Sequence, residues 1–234
     1  MSDPYLYPET NTLKNHFNVK DPIALQELEA AHYYIQLNKP FPPGNFDYAH
    51  LKAMHKHLFG QVYPWAGQER TVDISKGNSY FGHTQFLSKA LDKIFNCLRT
   101  DQYLQGLNKS DFCIKLAHYF NEINAAHPFR EGNGRTLRLF CEHLSLNAGY
   151  ELQWPNADDI EYLNASIAGF QAGDAPMIQL LEKLVLPIKQ TISPEHQRTS
   201  YTDLLLSQKL AIPKETAKSK ITQIQAKRSK KIKK

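Results

Sequence analysis

Cysteine is scarce and badly placed for cross-linking: Cys97, Cys113 and Cys141 are odd in number, far apart, and form no CxxC pair. That spacing argues against a disulfide framework and against a zinc knuckle, and reduced, buried thiols are expected instead. Long apolar runs are missing too, and no segment approaches the roughly 20 consecutive apolar residues of a membrane-spanning helix. The opening MSDPYLYPET has neither the basic nor the apolar region of a secretory signal, so folding in the cytosol is expected. Alternating strand patterns are few, which disfavours a sheet-based fold. A distributed basic surface is also lacking. Ten Lys or Arg against one acid crowd residues 209–234, leaving 18 basic and 22 acidic residues for the rest of a chain whose net charge is +5. The main body is mildly acidic, and specific nucleic-acid binding is not expected of it.

What is present is helical periodicity in a chain that is 41% hydrophobic, enough for one sizeable core. Residues 1–188 are expected to form one domain, and the polar, lysine-rich residues 189–234 a partly disordered, partly helical tail. DPIALQELEAAHYYIQL places Asp21 as N-cap, Pro22 at the first helical position, and Leu25, Leu28, Tyr33 and Ile35 on an apolar stripe. Further helices are expected at 45–60, 88–98, 109–126, from about Arg135 to a Gly149 cap, 158–168 and 175–186. In the helix at 109–126, Phe112, Leu116, Tyr119, Phe120 and Ile123 share one face and should lie deep. Pro128 should stop it near His127. Residues 70–81, RTVDISKGNSYF, alone read as a hairpin, with β-branched Thr71, Val72 and Ile74 before a Lys-Gly-Asn turn.

Between the fourth and fifth helices stands HPFREGNGRTLR, residues 127–138. Gly132, Asn133 and Gly134 lie just ahead of a helix start, where free N–H groups and the positive end of the helix dipole favour an anion. Arg135 and Arg138, three apart, add two planar cations beside the same opening, more than one phosphate requires, so a polyphosphate is indicated. Glu131 would repel it unless a Mg²⁺ ion intervened, and one carboxylate beside a nucleotide is a usual protein contribution to magnesium. His127 would face the same pocket with an ordinary pKa near 6.5, suited to taking a proton from a hydroxyl, although a helix C-terminus favours the imidazolium. Each piece alone has a plainer reading: a histidine that caps a helix, a Gly-Asn-Gly turn, a surface salt bridge from Glu131 to Arg135 or Arg138. The ordered combination of eight specified positions sets the stretch apart.

This stretch matches in full the HxFx(D/E)GNGRxxR signature of Fic-domain proteins. DPYLYPETNTLKNHF, MHKHLFGQVYPWAGQERTVDI and LAHYFNEINAAHPF also resemble stretches of Fic toxins of bacterial toxin–antitoxin modules and of Bartonella effectors, so the similarity runs from about residue 3 to 187. The resemblance implies an all-α Fic fold, a helical bundle carrying a small β-hairpin flap, and a protein adenylyltransferase that moves AMP from ATP to a target hydroxyl. It assigns His127 as base, Glu131 to Mg²⁺, Gly132, Asn133 and Gly134 to the anion nest, Arg135 to phosphate contact and loop order, Arg138 to the γ-phosphate, and Phe129 as buried anchor. The flap, Thr71, Val72, Asp73, Ile74, Ser75, Lys76, Gly77, Asn78, Ser79, Tyr80 and Phe81, would dock an extended target segment by its strand edge.

Some Fic proteins carry an inhibitory (S/T)xxxE(G/N) helix. No full match occurs here, the nearest being TISPEH at 191–196, so a separate small antitoxin is the partner expected to restrain the chain. The resemblance implies as target either a type II topoisomerase subunit or a host GTPase-type protein, and as location the bacterial cytoplasm or a recipient cell. Two alternatives share the resemblance: a Doc-like protein kinase that reverses the nucleotide, and a non-catalytic nucleotide-binding scaffold.

Overall fold

The computed structural model describes residues 3–77, 79–156, 158–170 and 173–188. The expected tail, 189–234, lies outside them, as does Asn78 of the hairpin turn. Among the described residues, seven α-helices and two short antiparallel ladders appear in the order α1 (Pro22–Leu37), α2 (Tyr48–Phe59), β1 (Ser75–Lys76), β2 (Ser79–Tyr80), α3 (Thr84–Thr100), α4 (Lys109–Ala126), α5 (Asn133–Asn147), β3 (Tyr150–Leu152), α6 (Ile160–Ala168), α7 (Ala175–Leu184) and β4 (Val185–Pro187). No helix among them is long and apolar enough to cross a membrane.

By their contacts the described residues fall into two compact units, one of residues 3–43 and 53–68, the other of 44–52 and 69–188. In the first, Asp21 caps α1 by accepting the Ala24 N–H at 2.8 Å, with Pro22 in the first turn, as the sequence leads one to expect. Leu25, Leu28 and Leu37 are buried, and buried Glu29 accepts a short hydrogen bond from the Tyr63 hydroxyl. Tyr63 stacks on Trp65, whose ring takes the edge of Tyr5.

The second unit is built around α4. Phe112, Leu116, Tyr119, Phe120 and Ile123 are all buried, each phenylalanine contributing on the order of 2–3 kcal/mol by leaving water. Asn108 caps the helix through the Asp111 N–H. At the other end the chain leaves the helix through His127, which adopts the left-handed conformation at φ 51° and ψ 63°. The residue before a proline avoids right-handed helical geometry, and the left-handed alternative costs an ordinary residue about 1–2 kcal/mol. That cost is offset locally, because the His127 N–H still reaches the Ile123 carbonyl at 3.0 Å.

Among the elements that differ from the sequence expectation, α3, α5 and α7 do so through a non-local partner or a turn. Helix α5 begins at Asn133, not Arg135, because Gly132 turns the chain at φ 81° and its carbonyl then accepts both the Thr136 N–H at 3.0 Å and the Thr136 hydroxyl at 2.9 Å. Helix α3 extends to Thr84–Thr100 instead of 88–98, since Asp73, distant in sequence, accepts the Thr84 N–H at 2.8 Å and caps it. Helix α7 stops at Leu184 instead of 186. Pro187 disfavours helix at Leu186, and Val185–Pro187 pairs antiparallel with Tyr150–Leu152, a three-residue ladder too short to leave a periodic trace.

The hairpin is smaller than residues 70–81. Its ladder joins Ser75 to Tyr80 and Lys76 to Ser79, with Gly77 at φ 57° in the turn, and the Phe81 N–H extends it to the Ile74 carbonyl at 3.3 Å. Thr71 and Val72 stay outside the ladder because the Val72 carbonyl is taken by Arg70 at 2.8 Å.

Candidate active site

All of the expected site lies in the second unit, on the loop between α4 and α5 and the first turn of α5. His127 closes α4. Its Nδ1 lies 3.1 Å from the Asn124 carbonyl, a group that only accepts, so neutral His127 carries its proton on Nδ1 and its lone pair on Nε2. Nε2 makes no hydrogen bond to a described residue. Burial pushes the imidazole down from its ordinary 6.5 to about 4, with the Arg70 and Lys76 cations acting the same way and the Asn124 carbonyl and Glu131 opposing. The helix C-terminus therefore does not hold the ring as imidazolium.

Glu131 and the glycines follow. Glu131 Oε1 accepts the Gly132 N–H at 2.8 Å and lies 3.4 Å from Arg135 Nη2, so the carboxylate rests against the loop's own donors. The backbone N–H groups of Asn133 and Gly134, in the first turn of α5, bond to no described residue; these are the donors a helix N-terminus offers an anion. A Cβ at Gly134 would meet nothing within 4 Å, so glycine there serves neither packing nor an unusual φ. Asn133 acts differently with its side chain. Its Oδ1 accepts the Phe129 N–H at 2.8 Å and its Nδ2 donates to the Phe129 carbonyl at 2.6 Å, locking residues 129–133 into a closed loop. Phe129 itself is buried, as an anchor should be.

Arg138 sits one turn further along, its guanidinium 5.2 Å above the Tyr162 ring and with no carboxylate in salt-bridge range among the described residues. Trp154 donates to the Arg138 carbonyl at 3.0 Å and packs edge-on to Tyr162. An aromatic shelf therefore carries this cation without neutralising it. Glu131 is the loop's carboxylate available to a magnesium ion, and no group of three or more His, Cys, Asp or Glu able to hold a metal occurs among the described residues. One carboxylate beside an anion-binding loop fits magnesium that arrives with a nucleotide, whose phosphates and waters complete its shell, and does not fit a resident protein-held ion.

Of the flap residues, Thr71 through Phe81, Tyr80 is 84% exposed and Phe81 turns inward to stack on the His127 imidazole, with ring centroids 3.7 Å apart and planes at 19°. Asp73 faces α3, where the His83 imidazole at 2.9 Å and the Thr84 N–H hold its carboxyl well below the usual range, at about 2.

Arg70 carries no signal in the sequence that marks it, yet it joins the whole arrangement. Only 2% exposed, it donates from Nε to the His127 carbonyl at 2.8 Å, from Nη1 to the Val72 carbonyl, and from Nη2 to the carbonyls of Gly82 and, at 3.2 Å, Ala126. Its own N–H reaches the Pro128 carbonyl at 2.8 Å. One side chain thus ties both legs of the hairpin to the last turn of α4 and to the backbone of the histidine.

Comparison with known proteins places this geometry in a class. Residues 45–145 match the Fic/DOC family. The chain is 40% identical over 185 residues to the protein adenylyltransferase VbhT of Bartonella schoenbuchensis, covering 78% of itself and 39% of VbhT. It is 34% identical over 186 residues to the probable protein adenylyltransferase y4lH of Sinorhizobium fredii, covering 79% of itself and 97% of that protein. Among solved structures, BepC of Bartonella tribocorum with bound AMPPNP superposes with a TM-score of 0.71 at 30% identity, over 79% of this chain and 97% of that one. The chain belongs to the Fic/DOC family and has its mostly helical fold with a small hairpin. It spans about two fifths of the length of VbhT, and nearly all of y4lH.

Proposed function

We propose that this chain is a protein adenylyltransferase, transferring AMP from ATP to a hydroxyl side chain of a target protein, with residues 1–188 as the catalytic domain. The observation that carries the reading is the meeting of a neutral imidazole with a loop start, where Nε2 and the Asn133 and Gly134 amides make no hydrogen bond among the described residues. The nucleotides bound to Bartonella relatives of this fold, AMPPNP in one and ADP in another, support it.

In this mechanism the target hydroxyl oxygen attacks the α-phosphorus in line. The bond from that phosphorus to the bridging oxygen breaks, pyrophosphate leaves, and the hydroxyl proton passes to His127 Nε2. The Nδ1–H bond to the Asn124 carbonyl holds the ring in the tautomer this needs. Amides of the Gly132-Asn133-Gly134 turn and the Arg135 guanidinium bind phosphate oxygens, and Arg138 takes the γ-phosphate. Positioning and charge stabilisation supply most of the acceleration in such transfers. Glu131 would hold Mg²⁺, which when bound offsets negative charge on the phosphates. To do so the carboxylate must exchange its contacts with Gly132 and Arg135 for the metal.

The exposed flap, with Tyr80 at its edge, docks an extended target segment by main-chain pairing. The target remains one of two classes, a type II topoisomerase subunit or a host GTPase-type protein. A small antitoxin bearing an (S/T)xxxE(G/N) helix is the proposed restraint, and the bacterial cytoplasm or a recipient cell the place of action.

The test is incubation of the full chain and Mg²⁺ with bacterial and animal-cell lysates and ATP labelled at either the α- or the γ-phosphate. Label retained on protein from the α-position alone is the expected outcome. Transfer of the γ-label would instead mean a Doc-like kinase, and transfer of neither a nucleotide-binding scaffold.

A further inference from the structure

We propose that Phe81 is a positioning residue for His127: its ring, laid flat on the imidazole, fixes the plane of the base and excludes water from one face. The proposal rests on the reading of His127 as the base. Three contacts define the ring's position. Phe81 stacks at 3.7 Å with planes at 19°, the Nδ1–H is held by the Asn124 carbonyl at 3.1 Å, and the residue's own carbonyl is held by Arg70 Nε at 2.8 Å. The first presses on a face, the second fixes rotation within the plane, and the third pins the backbone. Among the described residues, the edge bearing Nε2 has no hydrogen-bonding partner.

Phe81 is itself held in place. Phe170 meets it edge-on at 5.5 Å, the Phe81 N–H reaches the Ile74 carbonyl, and the next residue, Gly82, donates to the Ala125 carbonyl at 2.9 Å. A Cβ at Gly82 would come within 3.4 Å of Ala126 and Leu87, so the chain passes close against the end of α4 there. The inward turn of Phe81 is thus imposed by the backbone on both sides, while neighbouring Tyr80 points to solvent. The side chain that follows the flap's second strand is therefore assigned to the base, leaving target docking to the exposed residues before it.

The charged groups that act on the imidazole come from three other elements: Arg70 before the hairpin, Lys76 on β1, and Glu131 on the loop. None is replaced when Phe81 is changed, so removing the ring alters water access and orientation while leaving their charges in place. A packing role in the flap would lower transfer equally at every pH. A role in holding the imidazole in a dry, fixed pose would alter how the base titrates.

The test follows the His127 imidazole by NMR in the full, unliganded chain, and in parallel measures AMP transfer between pH 5 and 8, for wild type, Phe81→Leu, Phe81→Ala and Phe81→Trp. Losing the flat face should raise the His127 midpoint in the Leu and Ala variants by about 1 pH unit or more toward its ordinary value. With that value fully restored, transfer at pH 6 would fall about four-fold relative to pH 8, where wild type stays near parity. Phe81→Trp, which keeps an aromatic face, should retain the wild-type midpoint. An unmoved midpoint in both Leu and Ala, or an equal shift in Trp, would overturn the proposal. The NMR titration needs no turnover, so a wild-type chain that transfers no AMP would defeat the enzymatic reading without altering this outcome.

Discussion

His127→Ala should abolish the proposed AMP transfer while leaving the protein folded. A positioned general base is worth about 10²- to 10⁴-fold, so labelling from α-labelled ATP should drop at least a hundredfold. The substitution removes the Nδ1–H bond to Asn124 together with its donor, and the Asn124 carbonyl loses one partner. The expected loss of stability is about 1 kcal/mol, a shift of roughly 2–4 °C in Tm for a chain of this size. Asparagine is the sharper control. It tolerates the left-handed backbone of position 127 better than alanine does, yet cannot take up the proton or stack on Phe81, so His127→Asn should melt above His127→Ala, below wild type, and match alanine in activity. The pH dependence of stability provides a second readout. Folded His127 titrates at about 4 and the unfolded residue near 6.5, so between those values the unfolded state binds more protons. Wild type therefore loses stability as pH falls through that window, and both variants lack that share of the loss. Circular dichroism melts between pH 4 and 7.5 measure it.

Replacing Arg70 by methionine has the largest expected effect on stability. Methionine fills much of the volume but leaves the carbonyls of Val72, Gly82, Ala126 and His127 without the donor that now satisfies them. Leaving buried acceptors unpaired costs about 1–3 kcal/mol each. With partial relaxation and water entry, a loss of about 3–5 kcal/mol is expected, or roughly 6–20 °C in Tm. Lysine restores the charge but not the fork of donors, so Arg70→Lys should recover less than half of the lost Tm. AMP transfer should fall in both variants even at temperatures where they remain folded, because the hairpin and the histidine backbone share this one anchor. Tm and transfer rate, measured on the same preparations well below the melting point, separate the two effects.

The candidate site could be picked out of the sequence because its residues are local. His127, Glu131, Gly132, Asn133, Gly134, Arg135 and Arg138 fall within twelve residues, and a proline-stopped helix followed by a glycine turn brings them together without help from the rest of the fold. The mostly helical architecture was legible for a similar reason: α1 carries its own cap in Asp21, and both α1 and α4 carry a periodic apolar face. What escaped was whatever depends on partners far away in the chain. Arg70 meets His127 across 57 positions, and nothing in QERTVDI distinguishes a buried clamp from a surface cation. Asp73 resembles a turn residue until Thr84 is seen bonded to it. Asn133 reads as part of an anion nest, while its side chain is spent on the Phe129 backbone. The stack of Phe81 on His127 joins two residues of the expected site, yet their contact has no trace in spacing or composition. β3 and β4 were invisible because three residues cannot establish a period.

On the proposed function, the α4–α5 loop holds a triphosphate with its α-phosphorus toward the imidazole. A crystal structure of the full chain with Mg²⁺ and a non-hydrolysable ATP analogue tests this most directly. In that complex His127 Nε2 should face the α-phosphate, the Asn133 and Gly134 amides should lie on phosphate oxygens, and the Arg138 guanidinium on the γ-phosphate. A nucleotide lying in the opposite sense, with its γ-phosphate nearest His127, or a triphosphate bound elsewhere on the chain, would contradict it.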